Sequence, residues 1–169
     1  MTPILAPEVV EFVSGSPSQT TRIGERLGAL IRLGDVVCLE GPLGAGKTCL
    51  AQGVGKGWGT SDDVTSPTFT LIHELTRPTD HAVLYHIDLY RVESEDEARL
   101  LGLSDVFDGR AACLVEWPER APGMLPGERL HVRLALLGET KRRLTFSASG
   151  TRHLKLLSDL KRVAFGVSG

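Results

Sequence analysis

The stretch Val36-Val37-Cys38-Leu39-Glu40, followed by Gly41-Pro42-Leu43-Gly44-Ala45-Gly46-Lys47-Thr48 and then Cys49-Leu50-Ala51-Gln52-Gly53-Val54, decides the fold. The first part is a short apolar run bounded by Gly and Pro, which fits a buried strand. Lys47 to Gly57 reads as a helix. Between them, GxxxxGK[ST] is filled at every fixed position. Glycines let such a loop wrap a phosphate with its backbone N–H groups pointing inward. The helix that opens there adds its N-terminal dipole to the same phosphate. Lys47 can reach β- and γ-phosphates, and the Thr48 hydroxyl can ligate Mg²⁺. By average composition, a chance match in a chain of this length occurs on the order of once in 100 chains. A strand before it and a helix after it lower that further, against the bland alternative of a glycine-rich structural turn. Gly41, Leu43, Gly44, Ala45, Gly46, Lys47, Thr48 and Cys49 form the candidate phosphate-binding segment.

Outward from this loop, strands and helices interleave. Thr20 to Leu33 places Ile23, Leu27, Leu30 and Ile31 on one helical face, with Ser16 or Ser18 as its N-cap. Phe69–Glu74 and Ala82–Ile87 read as strands joined by the polar turn Thr76–Asp80. Ser94–Leu101 begins with a good cap and an acidic first turn, so it reads as a helix. Ala111–Val115 is another apolar strand. Arg129–Leu137 and Arg143–Ala148 suit a hairpin closing near Gly138. Leu154–Leu160 reads as a C-terminal helix or turn. The predicted class is α/β: a P-loop NTPase-like layered domain with a mixed central sheet flanked by helices. At 169 residues this is one domain, residues 1–169, with residues 1–13 and 163–169 expected to be peripheral.

The composition excludes several classes. A net charge of −2 argues against a protein that grips nucleic acid by bulk electrostatics. Aromatic residues are 5 % of the chain and glycines number 19, so the core is aliphatic and the backbone makes several tight turns. No apolar run approaches the roughly 18 residues of a membrane span. Met1 to Phe12 lacks a basic segment followed by an apolar one, so no signal peptide is expected. The three cysteines, Cys38, Cys49 and Cys113, form no CxxC or Cys/His cluster and read as reduced thiols of a cytoplasmic protein.

The sequence contains no Asn, so the Asn-Lys-x-Asp element that reads guanine cannot exist. No DxxG follows an apolar strand at the expected place either. ATP is therefore the expected nucleotide, with Mg²⁺. Magnesium needs a carboxylate at the end of a neighbouring strand. Asp88, closing Leu84-Tyr85-His86-Ile87-Asp88, and Glu116, closing Cys113-Leu114-Val115-Glu116, are both candidates. The loop Val64-Thr65-Ser66-Pro67-Thr68-Phe69 carries three hydroxyls around a stiffening Pro. It suits either a plain turn or a segment that senses the γ-phosphate. Trp117 directly follows Glu116 and either packs on the core or covers the nucleotide.

Taken together, these pieces resemble the TsaE (YjeE) family of bacterial P-loop ATPases, which help make threonylcarbamoyladenosine in tRNA. The resemblance spans about Thr20 to Gly150. It rests on Thr20-x-x-Ile23-Gly24, the P-loop, Ser66-Pro-Thr-Phe69, His86-Ile-Asp-Leu-Tyr-Arg91, Leu101-Gly-Leu103 and Leu114-Val-Glu-Trp-Pro118, in the family's order. The P-loop alone is nonspecific, whereas the other motifs at these spacings are highly specific. The resemblance implies a Mg²⁺ site of Thr48 with Glu116, and Asp88 as an acid needed for turnover. It also implies Trp117 near the nucleotide and Thr20 touching it from the first helix. Asp88, Thr68 and Glu116 are the candidate catalytic residues. A basic residue of the family approaches the nucleotide, and Lys141, Arg142 and Arg143 are equal candidates for it. The implied partners are TsaB and TsaD, with tRNA met only through that complex and no membrane involved. Hydrolysis alone is expected to be weak and partner-stimulated.

Two other functions fit a P-loop. A small-molecule or nucleotide kinase would carry an Arg-rich lid, but here the Arg residues are scattered and no lid-like insertion appears. A nucleotide sensor without turnover would lack a catalytic acid, and Asp88 and Glu116 speak against it.

Overall fold

The computed structural model describes residues 9–65 and 71–166. Its strands are β1 (Val9–Ser14), β2 (Val36–Glu40), β3 (Ile72–Thr76), β4 (Val83–Asp88), β5 (Ala112–Glu116), β6 (Leu130–Leu136) and β7 (Arg142–Ala148). Its helices are α1 (Pro17–Leu30), α2 (Lys47–Trp58), α3 (Glu95–Leu100) and α4 (Thr151–Phe165). The strands form one seven-stranded sheet in the order β1-β7-β6-β2-β5-β4-β3. The four central strands β6, β2, β5 and β4 run parallel, while β7, β1 and β3 pair antiparallel at the flanks. The fold is the α/β arrangement with a mixed sheet that the interleaving predicts.

Helices cover both faces at the centre, which is why β2 and β5 are apolar almost throughout. On one face, Val37, Leu39, Leu84 and Leu114 meet Leu27, Leu50, Val54 and Leu156 from α1, α2 and α4. On the other, Cys38, Ile87 and Val115 meet Ala98 of α3 and Leu103 just beyond it. Burial pushes the thiols of Cys38 and Cys113 up to about 12, so neither is a nucleophile at neutral pH.

The glycines Gly24, Gly28, Gly53 and Gly57 share one structural reason. A Cβ at Gly28 would lie 2.1 Å from the Val54 carbonyl, and one at Gly53 the same distance from that of Thr21. Helices α1 and α2 therefore touch backbone to backbone, which holds the start of α1 against the P-loop.

Ser16 is the N-cap of α1, accepting from the Gln19 N–H at 3.2 Å, with Pro17 in the first turn. The helix thus runs from Pro17 to Leu30, about one turn earlier at each end than the expected Thr20 to Leu33. Ser94 caps α3 as expected, accepting from Glu97. The β6–β7 hairpin closes around Gly138, also as expected. The expectation that residues 1–13 and 163–169 are peripheral is corrected where those residues are described. Residues 9–13 are not peripheral: they belong to β1, paired along its length with β7. Val10 and Phe12 point into the core while Val9, Glu11 and Val13 face out, and the Phe12 ring meets Phe146 edge-on at 5.2 Å. The C-terminal helix is longer than predicted, and Phe165 near its end stacks on Phe12 at 5.1 Å.

Candidate functional site

The site lies at the C-terminal edge of the parallel strands, where ligands collect in open α/β sheets. The P-loop leaves β2 there and enters α2. Gly44 and Gly46 take φ of +80° and +102°, which L side chains rarely adopt. At Gly41 a Cβ would sit 2.7 Å from the Leu134 carbonyl of β6, so the loop passes close under that strand. Leu43 and Gly44 are exposed, Ala45 is buried, Thr48 is exposed on the first turn of α2, and Cys49 is half-buried beside it. Thr20 comes from α1: its methyl faces Gly46, and its buried hydroxyl shares a 2.7 Å hydrogen bond with Ser14.

Lys47 is buried. Its ammonium donates to the carbonyls of Gly41 and Pro42 and lies 4.2 Å from the centre of the Trp117 ring. Burial pulls its pKa below the ordinary lysine value, and the negative charges of Glu116, Glu119 and Asp88 oppose that shift. Asp88 and Glu116 close adjacent parallel strands directly opposite each other. Burial raises the Asp88 carboxyl above the usual carboxylate range; the Tyr90 N–H, which donates to Oδ1 at 2.9 Å, lowers it, and Glu116 raises it again. Glu116 is almost wholly buried, and its Oε2 lies 2.6 Å from Nε2 of His86.

Of the two readings that the sequence left open for Trp117, packing on the core is the one seen. Trp117 packs against the second core cluster, and it turns its ring to Lys47. It does so with φ of +58°, an uncommon conformation for a bulky residue, costing on the order of 1–3 kcal/mol. Tyr90 lies against it at 4.9 Å between ring centres. Of Lys141, Arg142 and Arg143, Arg142 reaches the loop: its guanidinium donates to the Gly44 carbonyl at 3.1 Å. The same side chain donates to the carbonyls of Gly138, Glu139 and Lys141.

The structure therefore brings Thr20, the P-loop from Gly41 to Cys49, Asp88, Glu116 and Trp117 to one edge. Thr68, with Ser66 and Pro67, lies outside the described residues. The sequence reading passed over His86 and Tyr90 as individual residues, and it left Arg142 level with Lys141 and Arg143. The alternation of β4 holds a signal for His86, since Leu84, His86 and Asp88 share one face. The donor set suits Mg²⁺, which takes hard oxygen ligands and is usually held by one or two carboxylates plus substrate phosphates. A hydroxyl at Thr48 and carboxylates at the neighbouring strand ends meet that requirement.

The sequence profile of the family described as threonylcarbamoyl adenosine biosynthesis protein TsaE matches residues 14–144. The chain belongs to the TsaE family. The tRNA threonylcarbamoyladenosine biosynthesis protein TsaE of Bacillus subtilis is 42 % identical over 147 residues, covering 87 % of this chain and 90 % of that protein. The TsaE of Treponema pallidum is 38 % identical over 133 residues, covering 79 % and 96 %. The crystal structure of Bacillus subtilis YdiB superposes with a TM-score of 0.78 at 35 % identity, over 94 % of this chain and 98 % of that one. Membership of TsaE places the chain in tRNA threonylcarbamoyladenosine biosynthesis, as a protein of P-loop type. Among the described residues, no helix is long and apolar enough to cross a membrane.

Proposed function

We propose that the chain is the ATP-hydrolysing component of the threonylcarbamoyladenosine machinery, a nucleotide-dependent switch acting on a TsaB–TsaD complex in the cytoplasm. One observation carries this reading. A buried P-loop lysine shares one sheet edge with two acids on adjacent strands, and an aromatic ring packs over its ammonium.

In this reading the N–H groups from Gly44 to Thr48 cradle the β-phosphate, and Lys47 leaves the Gly41 and Pro42 carbonyls to meet the β- and γ-oxygens. The Thr48 hydroxyl and Glu116 hold Mg²⁺. When bound, the ion neutralises charge developing across the β- and γ-phosphate oxygens. Asp88 orients the attacking water, one of its oxygens already fixed by the Tyr90 N–H. Trp117 shields Lys47 from solvent, Arg142 holds the loop at Gly44, and Thr20 supports the nucleotide from α1. Thr68 senses the γ-phosphate. The absence of Asn supports ATP over GTP, and the net charge of −2 supports meeting tRNA through partners rather than directly.

Steady-state phosphate release from MgATP, alone and with TsaB and TsaD, tests the reading, run beside a panel of phosphoryl acceptors. The expected result is slow release alone and faster release with the partners. Phosphoryl transfer to an acceptor would make it a kinase instead, and fast release indifferent to the partners would remove the switch.

A further inference from the structure

One buried polar residue of this edge, His86, has a place but no role in the chemistry above. It is 1 % exposed, and Glu116 is 2 % exposed. In the register of β4 and β5, His86 pairs with Leu114 and Asp88 pairs with Glu116. Glu116 therefore has Asp88 directly opposite and His86 diagonally behind it, on the same face of the sheet. The carboxylate turns to the imidazole, with Oε2 and Nε2 2.6 Å apart. The other imidazole nitrogen, Nδ1, is buried without a hydrogen-bond partner among the described residues. Around it the face is aliphatic, with Leu84 and Leu114 in the same core cluster. A ring that only filled this space would be better apolar, since an unpaired buried polar atom costs on the order of 1–3 kcal/mol. The polar chemistry of His86 is thus directed at Glu116.

We propose that His86 is a positioning residue for the magnesium carboxylate: it binds one oxygen of Glu116, fixes that side chain's rotamer, and presents the other oxygen to the ion. The inference rests on Glu116 being a metal ligand, as argued above. Without His86, Glu116 would lose that hydrogen bond and face Asp88, and two adjacent carboxylates repel. Outer hydrogen-bond partners of ligating groups typically change metal affinity by about 10–100-fold when removed. Among the described residues the side-chain hydrogen bond of His86 goes to Glu116, so on this proposal its effect passes through the metal ligand.

The test is ATP binding measured by calorimetry with excess chelator and then across a Mg²⁺ titration. His86→Leu should leave metal-free ATP affinity within about twofold and raise the Mg²⁺ needed for half-maximal tightening by about tenfold or more. His86→Gln, whose amide keeps a donor within reach of Glu116, should recover most of that loss; His86→Asn, one methylene shorter, should not. In a Glu116→Gln background, His86→Leu should add nothing. A wild-type Mg²⁺ dependence in folded His86→Leu overturns the proposal, as does an equal loss of affinity with and without the metal. Should the Leu variant not fold, equal Mg²⁺ dependence in the Gln and Asn variants overturns it. If Glu116→Gln itself leaves the Mg²⁺ dependence unchanged, the fault lies in the metal assignment of Glu116. If that variant shifts it and those at His86 do not, the fault lies in the role of His86.

Discussion

The two halves of the sheet are built on different rules. In the parallel half, β5 is buried at every residue and β2 at all but the last, because helices lie on both faces. In the antiparallel half, β1 alternates exposed and buried along its whole length, and β7 alternates less sharply. One face there packs under α1 and α4; the outer face carries Val9, Glu11, Val13 and Arg143 to solvent. The lesson concerns where polar residues carry meaning. On β1 or β7 a polar residue at every second position is what a half-wet sheet requires. On β4 and β5 a polar residue facing the core needs a reason, and His86, Asp88 and Glu116 gather at one edge to supply it. The antiparallel half acts as a brace, lending the site the Arg142 guanidinium on Gly44.

If that division is right, the halves should fail differently. Lys47→Ala should give the largest functional effect, at least about a hundredfold in MgATP affinity or turnover, roughly 2.7 kcal/mol. Melting should be little changed. Titration of the folded variant with MgATP checks this, and undiminished binding would remove the P-loop lysine from the site. Phe146→Ala, in the brace, should do the reverse. Phe146 is fully buried against Phe12, so truncation should cost about 3–5 kcal/mol of stability. Denaturant unfolding measures that cost, while the folded fraction should bind ATP within about twofold of the parent. Selective loss of ATP affinity without loss of stability would mean that the brace takes part in binding.

How much could be read in advance follows the same division. β2, the P-loop, α2 and β5 were legible because double-sided burial demands continuous apolar runs and the loop demands glycine at Gly44 and Gly46. The β6–β7 hairpin was legible because its partners are close in sequence. β1 was not, since its partner β7 lies near the other end of the chain and nothing local in Val9–Ser14 names it. The three adjacent basic residues could not be separated by sequence. Only the pleat of β7 and the passage of the loop bring Arg142, rather than Lys141 or Arg143, to Gly44. His86 was hidden for another reason: one His on an apolar strand reads the same whether it fills space or holds a carboxylate.

The smallest expected effect is one of stability and sits at Asp88. Burial raises its carboxyl in the folded protein, so the folded state resists the ionised form. For a carboxyl raised in this way, its favourable contribution is fully present below the unfolded value, near 3.9, and is lost as pH rises through the folded value. At neutral pH the ionised Asp88 therefore works against the nucleotide-free fold. Asp88→Asn keeps an oxygen for the Tyr90 N–H and removes the charge. The nucleotide-free variant should melt higher than the parent at pH 7, and that advantage should shrink as the pH is lowered through the carboxylate range. Thermal melts of both proteins at pH 7 and near pH 4 provide the comparison, and the same variant should turn over ATP more slowly. A gain in stability with a loss of turnover would mark Asp88 as a residue of the parallel edge kept for chemistry. A variant less stable than the parent at pH 7 would show that the carboxylate is part of the frame instead, and the contrast between the two halves would not extend to this position.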